Sequence, residues 1–323
     1  MRRSNNNEVS AVKILKLVCL IQLLLCSTAL IAEEPFPARP LTLLIGFEQG
    51  GSMSTQGSVL ANILSEQLGQ PVRIQYRPGI GGGAAAAMLA TSHEQGYMLL
   101  FTPSMPFTNY PLEMSTSYNL NDFAYIGAVS EDQQALVTRQ SSPFSNWDEF
   151  LEYAHQRGEI SFASQTLTDR RIINRIAKEE GFIARIIPVT GGNAMTTLVM
   201  AGDVDIGFSG GSHSKFVDAG NMQLLAGLGN HRLKHYATVP TLKELGYDLQ
   251  MSSVRMLVVP VTTPLSQQQT LTSALYNATS DLRFINVTEE IIHQPVRYMS
   301  TEPLTQFLQQ QQDDYFSLIA QES

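Results

Sequence analysis

From residue 41 onward, apolar runs of strand length alternate with helical stripes. Residues 41–47 form a near-continuous apolar run, the pattern of a parallel strand covered on both faces. Gly50 and Gly51 break it, and Ser52, Ser54 and Thr55 are residues that cap helix starts. Val59, Leu60, Ile63, Leu64 and Leu68 then share one side of a helix that stops at Gly69, with Pro71 beyond. Residues 72–76 alternate as a second strand and lead into a glycine loop, 77–83, that opens an alanine-rich helix over 84–91. A third strand over 96–101 ends at Thr102-Pro103-Ser104, and 123–129 reads as a fourth. Repeated units of this kind predict a parallel sheet with right-handed crossovers. Ligands of such sheets sit at the carboxyl ends of the strands, where these glycine and serine turns fall.

A second set begins at Ala135. It comprises a short strand over 135–138, a helix from Ser145 with Asp148 three residues later, a strand over 160–163, a polar turn over 164–169 and a helix over 170–180 closed by Gly181. Residues 186–189 form another strand, and Thr190-Gly191-Gly192-Asn193 opens a helix to Ala201, echoing the first Gly-Gly turn. Strands over 204–208 and 224–228 follow. Residues 256–260 read as a strand returned to the first sheet, and helices over 266–280 and 301–320 finish the chain. Two α/β lobes result, joined by crossings near 129–134 and 252–256, which is the plan of a hinged two-lobe binder. The glutamine-rich stretch 306–312 reads as a solvated helix face.

Length and composition sharpen this plan. The 323 residues suffice for two cores, and 43% hydrophobic with 15% charged residues describes a globular chain. Residues 1–32 differ from the rest. Arg2, Arg3, Lys13 and Lys16 precede or flank an apolar run over 17–25, and small residues follow, so a secretory signal peptide cut after Ala32 is expected. An uncleaved anchor is the alternative; a lipid anchor at Cys26 is disfavoured by the bulky Leu25. Both cysteines, Cys19 and Cys26, lie in this leader, leaving a mature chain without disulfides or a thiol nucleophile. Removing the leader takes away four basic residues and Glu8, leaving 17 Lys+Arg against 28 Asp+Glu, a net charge of −11. Nucleic acid is a poor partner for that surface, and export without disulfides fits a bacterial periplasm.

A strand feeding a glycine turn into a helix start directs free N–H groups at the positive end of a helix dipole. A carboxylate suits such a place, although an ordinary βα turn accounts for the stretch equally well.

Several segments together resemble the solute-binding receptors of tripartite tricarboxylate transporters, the Bug family of periplasmic proteins. The carrying residues are Phe36-Pro37-Ala38-Arg39-Pro40-Leu41-Thr42, Gly50-Gly51-Ser52, Leu68-Gly69-Gln70-Pro71-Val72, Arg77-Pro78-Gly79-Ile80-Gly81-Gly82 and Gly96-Tyr97-Met98-Leu99-Leu100. Asn121-Asp122-Phe123, Ala201-Gly202-Asp203-Val204-Asp205 and Val239-Pro240-Thr241-Leu242-Lys243-Glu244-Leu245-Gly246 follow in family order. The resemblance implies a periplasmic binding protein type II fold, two Rossmann-like lobes with a hinge and an interlobe cleft. It implies that the lobes close on a small carboxylate through backbone amides and ordered waters, for delivery to a permease of one large and one small subunit. Four departures bear on the ligand. The family's Asp two residues after Gly-Gly-Ser is Ser54 here, its Tyr-Gly-Ser-x-Gly-x-Gly-Ser turn is replaced by residues 162–169, and its Tyr-Lys-Gly by Val189-Thr190-Gly191. A tryptophan usual on the return strand is absent around Ser253-Val254-Arg255.

Other chemistries compete. Gly207-Phe208-Ser209-Gly210-Gly211 fits the Gly-x-Ser-x-Gly nucleophile elbow after a predicted strand, with Asp218 or Asp248 and then His231, His235 or His293 in triad order. A secreted serine esterase using Ser209 is therefore a remote alternative to the receptor. His231 and His235 have the spacing of helical metal ligands, but their basic surroundings read as a surface loop. The run Gly81–Gly83 lacks a nucleotide-binding pattern. Arg170 and Arg171 oppose a helix dipole and either reach a ligand carboxylate or stand as an exposed pair.

The expectation is thus a non-enzymatic receptor with lobe 1 over 33–130 plus 255–323 and lobe 2 over 131–254. Phe47, Gly50, Gly51, Ser52, Ser54 and Ser104 are the expected ligand-binding residues of lobe 1. Ser164, Thr166, Thr168, Thr190, Gly191, Gly192 and Ser209 are those of lobe 2. No cofactor or metal is expected, and the chain is expected to be a monomer. A ligand-binding component of a sensory system is the alternative role on the same fold.

Overall fold

The computed structural model describes residues 35–320. The predicted signal peptide and its cleavage point lie outside them. Of these, residues 39–320 belong to one compact unit, and the elements below lie in it.

β1 (Leu41–Ile45) leads into α1 (Ser52–Leu68), β2 (Val72–Tyr76), α2 (Gly83–Ala90), β3 (Met98–Pro103) and β4 (Phe123–Glu131). The chain then builds β5 (Ala135–Arg139), α3 (Trp147–Arg157), β6 (Glu159–Ser164), α4 (Leu167–Glu180) and β7 (Ile183–Pro188). α5 (Gly192–Ala201), β8 (Ile206–Ser209), α6 (Ser214–Asp218) and β9 (Met222–Gly227) complete that part. β10 (Val254–Pro260), α7 (Leu265–Thr279), β11 (Val296–Ser300) and α8 (Thr301–Ala320) return to the first.

Two sheets result. The first has the order β11-β4-β10-β3-β1-β2 and the second β7-β6-β8-β5-β9. Neither is wholly parallel, which corrects the expectation drawn from repeated β–α units. β10 runs antiparallel to both β3 and β4, and β5 antiparallel to both β8 and β9. The second lobe is inserted between β4 and β10, so the chain leaves along one and comes back down the other. Glu131 accordingly pairs with Val254, and the Asp132 amide donates to the Ser253 carbonyl, 2.9 Å. The two crossings therefore lie side by side.

The first sheet packs Leu44, Leu100, Tyr125, Met256 and Val258 with Ala85 and Leu89 of α2 and Leu304 and Leu308 of α8. α1 rests closely on β1: a Cβ on Gly57 would lie 2.6 Å from Ile45 Cδ1, so a larger residue would require that side chain to move. The second core gathers Phe150, Ile160, Phe162, Ile173, Ile176 and Phe208, and it takes in Met105 and Tyr110 from the segment after β3. The exposed Gln309 and Gln310 lie on α8 beside Asp313 and Asp314, the solvated face their composition suggested.

Several boundaries move. The helix expected from Arg170 starts at Leu167, because Thr166 caps it and Asp169 answers Thr166 in a complete capping box. The helix expected from Ser145 starts at Trp147, capped by Asn146, whose side chain accepts from the Glu149 amide, 3.0 Å. β11, Val-Arg-Tyr-Met-Ser, is short and breaks alternation at Tyr298-Met299, so the sequence pattern does not mark it as an edge strand.

Candidate functional site

The two Gly-Gly turns face each other. A Cβ on Gly51 would come within 3.8 Å of the Gly192 nitrogen, and one on Gly50 within 3.7 Å of Asn193 Cγ. Gly50 has φ +94°, the left-handed region that glycine occupies without strain. The starts of α1 and α5 therefore meet across the cleft, each presenting first-turn N–H groups without partners in their own helix. Glu48, two residues before the first Gly-Gly, settles on the second one. Its Oε1 accepts from the Ala194 amide at 2.7 Å, and its Oε2 from the Thr190 hydroxyl at 2.9 Å. A carboxylate from one lobe thus occupies a helix N-terminus of the other.

Behind this contact lies a cavity of about 40 Å³, room for roughly three waters. Phe47, Met53, Pro103, Met105 and Phe208 supply apolar wall, and Ser52, Gln134, Gln165, Thr166 and Ser212 supply polar groups. Arg255 closes one side and is 1% exposed. Its Nε donates to Asp132 Oδ1 at 2.7 Å, Nη1 to Gln56 Oε1 at 3.0 Å, and Nη2 to Ser52 Oγ at 2.9 Å and the Gly210 carbonyl at 2.7 Å. Gly210 also accepts from Gln294 Nε2 at 2.8 Å. A buried guanidinium is retained only where a counterion and acceptors surround it, and Asp132 on the adjacent crossing is that counterion. Arg255 was passed over in the sequence, being one charged residue in an apolar strand, and only its burial marks it out.

The family model described as tripartite tricarboxylate transporter family receptor matches residues 57–323. The chain belongs to this receptor family. It is 30% identical over 227 residues to protein BugT of Bordetella pertussis, covering 67% of this chain and 69% of BugT. Among solved structures it resembles the periplasmic binding protein BugD, with TM-score 0.79 at 20% identity, covering 88% of this chain and 98% of that one. It also resembles MatC from Rhodopseudomonas palustris, solved with bound malate, with TM-score 0.78 at 20% identity, covering 88% of this chain and all (100%) of that one. These likenesses agree with the two-lobe fold of the receptors.

In this receptor the expected site residues divide into three groups. Phe47, Gly51, Ser52, Thr166 and Gly192 line the cavity. Gly50, Thr190 and Gly191 stand at the Glu48 contact, where a Cβ on Gly191 would meet Glu48 Cγ at 3.2 Å. Ser54, Ser104, Ser164, Thr168 and Ser209 lie off the wall and are engaged elsewhere. Ser54 meets the Tyr76 hydroxyl at 3.0 Å, Ser104 meets Ser253 at 3.4 Å, and Ser164 donates to the Thr166 carbonyl at 3.2 Å. Thr168 accepts from Asn109 Nδ2 at 3.0 Å, a bond from the segment after β3 to α4. Arg171 pairs with Glu113 at 3.3 Å and donates to Tyr315, and with Arg170 it lines a separate surface groove.

Ser209 does not meet the partners expected of an esterase. Its Oγ is fully buried, accepts from the His213 amide at 3.2 Å and lies 2.9 Å from His213 Nδ1. Burial lowers the His213 pKa to about 4, holding the ring neutral at pH 7. Asp218 and His293 instead pair with each other at 3.4 Å, and Tyr236 bridges them at 2.8 and 2.9 Å. His235 stacks on His293 with centroids 4.2 Å apart, and the segment 229–235 is not helical, so His231 and His235 share no helix face.

Proposed function

We propose that this receptor captures a small organic acid in the cleft between its lobes and presents it to the large and small membrane subunits of a tripartite tricarboxylate transporter. The observation that carries this reading is the approach of two helix N-termini, from α1 and α5, beside the buried Arg255. Like-signed dipole ends repel, and an anion between them turns that repulsion into attraction. In the open form the amides of Gly51, Ser52 and Met53 would take a ligand carboxylate, and closure would strip water from it and strengthen each donor. The crossings at 132–134 and 252–253 would be the hinge, dividing lobe 1 from lobe 2 close to the boundaries read from the sequence.

Its place of work is the periplasm, after removal of the leader, as a monomer and without enzymatic turnover. The seating of Ser209 as an acceptor of backbone amides supports a structural role for it. A sensory role on the same fold is the competing reading. Growth on the identified acid should fail after deletion of the permease genes if the receptor feeds transport, and persist if it only signals.

A thermal-shift screen of carboxylic acids against neutral amides of matching shape tests the ligand class. Acids at concentrations well above Kd should raise Tm by several degrees, about 2.7 kcal/mol at a hundredfold excess. Stabilisation by the amides alone overturns the reading.

A further inference from the structure

The family name promises a ligand with several carboxylates; the charges around this cleft do not. We infer that this receptor is specific for a short monocarboxylate bearing one hydroxyl or N–H donor, and that Glu48 excludes a second carboxylate. The inference rests on the acid-receptor reading above.

Three helices of ten residues or more start at the cleft: α1, α4 and α5. Each offers a positive end that a carboxylate could neutralise. The chain itself fills two of them. At α4, Asp169 sits in the first turn, accepting from the Thr166 amide at 2.8 Å and the Gln165 amide at 3.0 Å. At α5, no acid lies in the first turn, and Glu48 reaches across from the other lobe to take the Ala194 amide. Of the three, only α1 has no carboxylate at its start, either in its first turn or brought from another segment. Its beginning, Ser52 and Met53, is cavity wall. The Arg255 charge beside it is matched by Asp132, so no further anion is required there.

A second, independent feature points to a ligand at the same place. Gln134 is 2% exposed and lines the cavity, yet its Oε1 has no hydrogen-bond partner. An amide oxygen buried without a donor is destabilising, and a ligand hydroxyl or N–H would satisfy it. The cavity of about 40 Å³ admits only a compact body, and its apolar side suits a methyl or methylene group. A dicarboxylate would bring a second negative charge into a small cavity already walled by Asp132 and lying beside the Glu48 contact, which is unfavourable.

The test uses matched pairs in calorimetric titrations of the mature protein: lactate against malate, propionate against succinate, with lactamide as the neutral probe. Each pair differs by one carboxylate, and lactate differs from propionate by the hydroxyl. Lactate should bind at least about tenfold more tightly than malate and than propionate. Glu48→Gln should shift the lactate-to-malate ratio about tenfold toward malate, with circular dichroism unchanged. Malate binding as tightly as lactate, a ratio unmoved by Glu48→Gln, or no binding by any acid overturns the inference. In the first two cases the acid-receptor reading survives; lactamide binding while every acid fails ends both.

Discussion

The starts of α1 and α5 are alike in sequence and opposite in state. Both follow a strand, both open on Gly-Gly, and neither has an acidic residue in its first turn. Yet α5 holds the Glu48 carboxylate, whereas α1 meets the Ser52–Arg255–Asp132 chain and the cavity. The difference teaches that a glycine turn before a helix defines where an anion could go, and the neighbouring lobe decides whether the place is taken. A carboxylate four residues before α1, useless to that helix, becomes the cap of a helix some 140 residues later in the sequence.

The largest effect should come from the α1 side. Arg255→Met leaves the buried Asp132 side chain without its partner, and breaking such a pair is worth about 3–5 kcal/mol. Urea denaturation should show that loss, and the double variant Arg255→Met with Asp132→Asn should recover much of it. Full stability in Arg255→Met would mean that the pair does not hold α1 in place.

pH separates the buried acid that caps α4 from the buried histidine beside Ser209. Asp169 is wholly buried, and burial lifts its pKa to about 6 against hydrogen bonds from Ser164, Thr166 and Gln165. A raised carboxyl pKa means that the folded chain binds the proton more tightly. Its stabilising contribution is therefore complete below about pH 4 and is lost as pH rises through about 6, on the order of 3 kcal/mol. His213 has the opposite sign: with its pKa lowered to about 4, its contribution is present above about pH 6.5 and is lost as pH falls toward 4. The two slopes oppose each other between pH 4 and 6.5. Stability of the native protein should change little there. Asp169→Asn should then lose stability on acidification, and His213→Gln should gain it. Parallel pH profiles for the two variants would contradict the assignment.

The smallest effects distinguish the turns themselves. A Cβ on Gly192 would strike Ser212 Oγ at 2.5 Å and Cβ at 2.7 Å, whereas one on Gly51 has nothing closer than 3.8 Å. Gly192→Ala should push the start of α5 off Ser212 within its own lobe, at a loss of about 1–3 kcal/mol. Gly51→Ala should stay within about 0.5 kcal/mol of the native protein. Urea denaturation should show the loss for Gly192→Ala only. Equal midpoints for the two variants would remove the asymmetry.

Legibility followed the range of the interaction. Strand runs such as 41–45 and 72–76, the α1 stripe closed by Gly69 and the return of 256–260 to the first sheet rest on local pattern, and they stood in the sequence to within a few residues. The capping box at Thr166 and Asp169 is equally local, but its threonines and aspartate match turn composition as much as a helix start, so the pattern points to a polar turn there. Phe47, Gly51, Ser52, Thr166 and Gly192 were nameable because turn chemistry at strand ends locates a cleft. Arg255, Gln134 and Glu48 were not. Nothing in their neighbours distinguishes a buried guanidinium from an exposed one, or a cross-lobe cap from a solvated glutamate.

What the amino-acid order determined by itself was the set of elements, their break points and the two glycine turns, since apolar period and φ freedom act over a few residues. What only the tertiary structure decided was which charge meets which helix end. That choice depends on distance through space between segments up to some 200 residues apart, as between Ser52 and Arg255, and no local pattern encodes it.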